Sequence, residues 1–173
     1  MARVGFIQSD LDLKMMILYL MDRVAAPISF LQLVDLAMCD AGVDYFSLSQ
    51  AAAHLVETEH LTLENERYAI TEKGRRNSQI CQDSLPFSVR RRCDENLSAL
   101  NQALRRQEQV QADLLPNQDG TCLVRLFLAD GEGVLMETKL FAPTREAGEA
   151  MARRYQEQPE KLYQRLMEFL NPA

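Results

Sequence analysis

Residues 45–74 read YFSLSQAAAHLVETEHLTLENERYAITEKG, and the fold turns on this stretch. Ser47 is followed three residues on by Gln50, a spacing at which hydroxyl and amide satisfy each other's orphan backbone donors, so a helix is expected to open there. Leu48, Ala51, Ala52, Leu55 and Val56 then recur at helical spacing, with Ser49, Gln50, Ala53, His54 and Glu57 on the opposite side. One face packs and the other looks outward. Leu61-Thr62-Leu63 and Tyr68-Ala69-Ile70 alternate with period two about the polar Glu64-Asn65-Glu66-Arg67, which predicts a hairpin. Thr71 caps a further helix that has Gly74 in its first turn.

Upstream, Asp10 precedes an almost wholly apolar helix through Leu11, Met15, Leu18 and Val24. Ala25-Ala26-Pro27 ends it, because proline disfavours helical geometry in the residue before it. Met1 to Ser9 read as an arm or short strand, with Val4, Phe6 and Ile7 available to pack. Ser29 with Gln32 repeats the cap pattern, opening a helix that Gly42 is expected to end in the left-handed conformation. Three helices, a hairpin and another helix in that order predict the winged form of the helix-turn-helix over residues 1–85.

After Leu85-Pro86 a long helix is expected, connecting residues 86–107. Val89, Cys93, Leu97, Leu100 and Leu104 form its apolar stripe, which is open to two readings: packing within the chain, or a dimer interface. Periodicity changes near Val110. Three alternating runs, Val110 to Leu115, Thr121 to Ala129 and Val134 to Phe141, predict an antiparallel meander. Cys122, Val124, Leu126 and Leu128 should form its buried face, with Arg125 opposite. Two closing helices follow, one from Thr144 and one entered through Pro159 with Leu162, Leu166, Phe169 and Leu170 on its stripe. The expected fold class is therefore α+β, with a C-terminal domain over 108–173 for dimerisation or sensing.

A net charge of −6 sits awkwardly with phosphate binding, since nonspecific affinity comes mainly from lysine and arginine neutralising the backbone. Residues 1–85 hold seven of these cations against twelve acids, so the half expected to read nucleic acid is the acidic one. Cys39, Cys81, Cys93 and Cys122 show no paired spacing and suit a reducing cytoplasm. The apolar run from Leu11 to Val24 is too short and too charged for a membrane span. Catalysis finds no support: His54 and His60 have no paired cysteine or metalloprotease spacing, and no phosphate-binding or nucleophile-elbow motif occurs. No metal or cofactor is expected, and no small-molecule effector is indicated.

Tyr68-Ala69-Ile70-Thr71-Glu72-Lys73-Gly74 makes the stretch from Leu11 to Gly74 resemble bacterial winged-helix regulators of the PadR and MarR type. Most of the chain is similar to a bacterial family catalogued as domain of unknown function 4364. That likeness rests on Ile17-Leu18-Tyr19-Leu20, Asp44-Tyr45-Phe46, Leu55-Val56-Glu57 and Leu85-Pro86. It implies a transcriptional regulator and supplies no operator, effector or catalytic residue. One departure is local: Glu59 and His60 stand where such proteins commonly carry glycine between the third helix and the wing.

The expected contacts to double-stranded DNA are Ser49, Gln50, Ala53 and His54 for base edges, Asn65 and Arg67 from the wing, with Arg67 offered to the backbone or the minor groove, and Arg75 and Arg76 for phosphates. Against each stands an ordinary solvated role. The leading expectation is a dimeric DNA-binding regulator; the alternative is a winged helix that meets a basic protein partner instead.

Overall fold

A computed structural model describes Phe6, Ile7 and residues 9–171. Among these, seven α-helices and two three-stranded antiparallel sheets make a mixed α+β protein. The chain divides into two compact units, residues 1–104 and 105–173. Val4, expected to pack, lies outside the described residues.

The first unit is built around α1 (Asp10–Arg23), whose Met16, Ile17 and Leu20 are fully buried. The helix takes in Asp10, expected to precede it, and its cap is Ser9, where Ser9 and Asp12 bond reciprocally to each other's backbone amides. Two residues of strand, β1 (Ile28–Ser29), lead into α2 (Phe30–Ala37), which opens with the expected Ser29–Gln32 box. The next helix, α3 (Tyr45–Glu57), opens two residues before the expected Ser47 cap. Asp44 takes that role: its carboxylate accepts from the amides of Phe46 and Ser47, and the Ser47 hydroxyl donates to the same group at 2.6 Å. A carboxylate reaching two amides displaces a hydroxyl that can reach one.

Gly42 also departs from expectation. Helix α2 ends at Ala37, and Gly42 does not lie in the left-handed region. The residue is glycine because a Cβ would stand 2.1 Å from the Ile7 carbonyl oxygen. Beside it the Asp40 carboxylate, wholly buried, accepts from the amides of Phe6, Ile7 and Gly42 at 3.1, 3.3 and 2.9 Å. Burial pushes this carboxyl up, but the three amides and the Arg92 guanidinium outweigh it and hold the group below its ordinary value. Asp40→Asn, which keeps the shape and removes the charge, is expected to cost about 2 kcal/mol. Because the native value is the depressed one, the difference should be complete above about pH 4 and vanish as pH falls through the native value. Urea unfolding of both proteins across acidic pH tests this; a difference independent of pH would defeat it.

A hairpin of β2 (Leu61–Glu64) and β3 (Arg67–Ile70) follows α3, with Glu64 opposite Arg67. Its two turn residues, Asn65 and Glu66, both have positive φ (49° and 61°), the geometry that matches the twist of paired strands. β1 joins the far side of β3, pairing Ile28 with Tyr68, so the sheet order is β1-β3-β2. Then come α4 (Glu72–Cys81), a single 3-10 turn (Gln82–Ser84), and α5 (Phe87–Gln109).

The stripe on α5 is core. Val89 and Cys93 are fully buried, Leu97 and Leu104 nearly so, and Leu100 packs against the same cluster as α1 and α2. Polar pins lock the arrangement: Asn101 accepts from the Ala25 amide at 2.7 Å and donates to the Arg23 carbonyl at 2.8 Å, while the Tyr19 hydroxyl donates to Asp94 at 2.9 Å. Of the two readings of this stripe, packing within the chain is the one seen: Val89, Cys93, Leu97 and Leu104 lie in the buried cluster that includes residues of α1 and α2, and Leu100 packs against it partly buried.

In the second unit, β4 (Val110–Pro116), β5 (Cys122–Ala129) and β6 (Val134–Ala142) form a meander in the order β4-β5-β6. Cys122, Val124, Leu126 and Leu128 are buried under α6 (Arg145–Glu157), capped by Thr144. Gly148 permits the close approach, as a Cβ there would lie 2.5 Å from the Cys122 sulfur. On the opposite face Arg125 bridges Asp113 and Glu137 on both neighbouring strands at 3.1 and 2.8 Å. The last helix, α7 (Pro159–Leu170), starts with the expected proline, yet Pro159 is its one buried residue among those described. Leu162, Leu166, Phe169 and Leu170, expected as a packing stripe, are exposed. No helix among the described residues is long and apolar enough to cross a membrane.

Candidate functional site

The exposed face of α3 and the adjoining hairpin carry the candidate residues. Leu48, Ala51, Ala52 and Leu55 are buried, which leaves Ser49, Gln50, Ala53 and His54 in solvent on the other side. Ser49 and Gln50 offer both donors and acceptors, His54 offers its two ring nitrogens, and Ala53 leaves room for an approaching surface. Helix α3 contains no lysine or arginine.

The exit from α3 is where glycine would be usual. Glu59 occupies the left-handed position with φ 60°, its amide bonding Val56 O at 3.0 Å while the His60 amide bonds Leu55 O at 2.8 Å. This is the two-bond Schellman closure, formed without glycine. A polar chain supports it. Asn77 donates to His60 Nε2 at 2.6 Å, His60 Nδ1 donates to Thr58 Oγ1 at 2.9 Å, and Thr58 donates to the His54 carbonyl at 2.7 Å. These bonds assign the neutral tautomer, in keeping with a His60 value lowered by burial and by the nearby Lys73 ammonium. His60 is thus a structural link between α3 and α4, whereas His54 stays free on the outer face.

The cations are less available than their exposure suggests. Arg67 donates to the Pro27 carbonyl at 3.2 Å. Arg75 pairs with Asp22 at 3.1 Å, and Arg76 with Glu72 at 3.2 Å. The Arg76–Glu72 pair is exposed and of a kind that contributes roughly 0–1 kcal/mol, so it can be exchanged for phosphate at modest cost, whereas Arg75 is held by the more buried Asp22. Asn65 sits at the hairpin tip, exposed and at positive φ.

Sequence periodicity gave no sign of an aromatic group beside this face. Phe30, Tyr45 and Tyr68 come from α2, α3 and β3, with ring centroids 5.4 Å (Phe30–Tyr45) and 6.1 Å (Phe30–Tyr68) apart, and Phe46 stacks edge-on to Tyr45 while remaining 78% exposed. The pairing of β1 with β3 brings Phe30 beside Tyr68, and the packing of α2 on α3 brings Tyr45 to Phe30.

The family described as Domain of unknown function (DUF4364) matches residues 13–170. The chain belongs to that family. No curated protein and no solved structure matches the chain. The span matched by the DUF4364 family runs from the first turn of α1 to the last residue of α7, so both compact units belong to it. The second unit has its own cleft of about 460 Å³, whose lining includes Leu126, Leu140, Met151, Tyr155 and Leu162 together with Arg154, Lys161 and Arg165. Among the described residues, no three histidines, cysteines or acids come together in a way that could hold a metal ion.

Proposed function

We propose that residues 1–85 form a winged helix-turn-helix and that this member of the DUF4364 family is a cytoplasmic transcriptional regulator that reads double-stranded DNA. The observation that carries the reading is α3. It is buried along one side, presents Ser49, Gln50, Ala53 and His54 along the other, and leads directly into a tight hairpin. A helix exposed in this way fits the major groove, with the hairpin alongside as the wing. The likeness of Tyr68 to Gly74 to PadR and MarR regulators supports the same reading, which is not enzymatic.

The acidic surface sets the form of the binding. A dimer using Arg67, Arg75 and Arg76 makes six phosphate contacts, so log affinity against log salt should fall with a slope no steeper than about −6. Random DNA should be held feebly and the specific site well. Genomic fragments selected on the purified protein test this. Arg75→Ala with Arg76→Ala should weaken all sequences alike, and Gln50→Ala or His54→Ala should change which sequence is preferred.

A second reading has observations of its own. Arg75 and Arg76 are already paired with carboxylates, residues 1–85 carry net −5, and Phe46 and Leu31 are exposed apolar residues. These suit a module that docks on a basic protein partner. If no fragment is enriched at low salt and a pull-down returns one stoichiometric protein, this reading replaces the first.

Dimerisation belongs to the proposal as well, because helix-turn-helix readers engage two half-sites through two-fold symmetry. The α5 stripe is occupied, so we place the interface on the second unit. Leu115, Leu123 and Phe141 stand in register across its three strands on the face away from α6, and Phe141 is 62% exposed. An exposed apolar row on the solvent side of a half-covered sheet is the kind of surface a second copy buries.

A further inference from the structure

Cys39 and Cys93 lie 54 residues apart in sequence and their sulfurs are 3.7 Å apart. Cys39 is half-buried in the turn after α2, and Cys93 is buried on the facing side of α5. The structure assigns this pair as a redox-modification site, at which a peroxide oxidant converts two thiols into an intramolecular disulfide joining the α2–α3 turn to α5. The inference rests on the distance alone and stands whether or not the protein reads DNA.

The two thiols are chemically distinct. The hydrogen bond shared with Cys93, together with the Arg92 guanidinium, holds the Cys39 thiol below its ordinary value; burial and the Asp40 carboxylate pull the other way without prevailing. Cys93 is pushed up, first by its hydrogen bond with Cys39 and then by burial. Cys39 is therefore the more readily deprotonated of the two, and it is also the one with access to solvent. Its sulfur attacks one peroxide oxygen, the O–O bond breaks, and the leaving oxygen departs as water, with Cys39 left as sulfenic acid. Cys93 sulfur then attacks Cys39 sulfur, the S–O bond breaks, and a second water carries away the Cys93 proton and the sulfenic hydroxyl. The sum is two thiols and one hydrogen peroxide giving one disulfide and two waters. Closing a bond of about 2.05 Å requires the sulfurs to approach by about 1.7 Å.

That approach falls on a turn held in place by its neighbours. Asp40, the next residue, holds the amides of Phe6, Ile7 and Gly42, and Arg92, next to Cys93, donates to the Cys39 carbonyl at 3.4 Å. These contacts keep the turn against α5 in the reduced protein, so the second thiol is present before the first is oxidised.

The test treats the full chain with stoichiometric hydrogen peroxide and counts thiols after denaturation. The count should fall from four to two, and be restored by dithiothreitol. Peptide mapping under non-reducing conditions should find Cys39 joined to Cys93. Cys81→Ser should lose two thiols as the wild type does, and Cys39→Ser should form no intramolecular bond. Should Cys39→Ser fail to fold, the wild-type peptide map decides alone. A count that stays at four, an irreversible loss, or a bond that involves Cys81 or Cys122 or a second chain overturns the assignment.

Discussion

Leu97→Ala is expected to lower the unfolding free energy by about 3 kcal/mol and leave the mass of the protein in solution unchanged. Truncating a fully packed leucine removes its transfer free energy and leaves a cavity that the surroundings only partly fill, a combination that costs roughly 2–5 kcal/mol. Leu97 is 3% exposed in a core shared with α1 and α2, and Asn101 one turn further on holds the end of α1 in place. The cavity therefore has rigid walls on the side it would have to collapse from. Urea unfolding gives the first number and light scattering the second. Phe141→Asp should do the reverse, halving the mass with little change in unfolding free energy extrapolated to the monomer, because it places a charge in the row assigned to the second subunit. If Leu97→Ala dissociates a dimer and costs under about 1 kcal/mol within the monomer, the stripe is an interface after all.

Gly74→Ala is expected to destabilise the protein by about 3 kcal/mol, although in a helix interior the same change ordinarily gains about 1 kcal/mol. The sign is thus diagnostic. Gly74 lies in the first turn of α4, where a Cβ would meet the His60 carbonyl oxygen at 2.1 Å and Ile70 Cγ1 at 2.9 Å. A backbone carbonyl cannot swing aside as a flexible side chain can. The His60 carbonyl also accepts the amide and hydroxyl of Thr71 at 3.0 and 3.1 Å, so moving it breaks the bonds that start α4. Strain would spread to the Schellman closure of α3 and to the hairpin, and the outer face of α3 would turn. Thermal unfolding of Gly74→Ala beside the wild type checks the expectation. A raised midpoint would show that the His60 segment can yield.

Much of this architecture is legible in the sequence because the signals are local. The Ser29–Gln32 box, the Thr71 cap, Pro159 at a first-turn position and the alternation from Cys122 to Leu128 each depend on residues within a few positions, and the structure places all four as the periodicity implies. The outward position of Ser49, Gln50, Ala53 and His54 follows in the same way, from the inward spacing of Leu48, Ala51, Ala52 and Leu55. Where two local signals compete, sequence reasoning can pick the weaker: Ser47–Gln50 is a valid cap pattern, but the Asp44 carboxylate reaches two amides and prevails.

Tertiary structure decided what depends on partners distant in the chain. An amphipathic stripe states that something covers it and not what, so only the packing of α5 on α1 and α2 could take Val89 to Leu104 into the core. The same ambiguity ran the other way for α7, whose stripe is as regular and yet stays exposed. Gly42 reads as a helix end and Gly74 as part of a first turn, but both are required by close approaches to the carbonyls of Ile7 and His60, contacts no local pattern encodes. Arg75 reads as a phosphate candidate from its place after the hairpin, and only the fold shows that Asp22, 53 residues away, pairs with it. Two scattered cysteines became a pair because 54 residues of chain return Cys93 to the turn that carries Cys39. Sequence determines which face of an element is apolar, since that is set by its own period; what meets the face is settled by the packing of the whole chain.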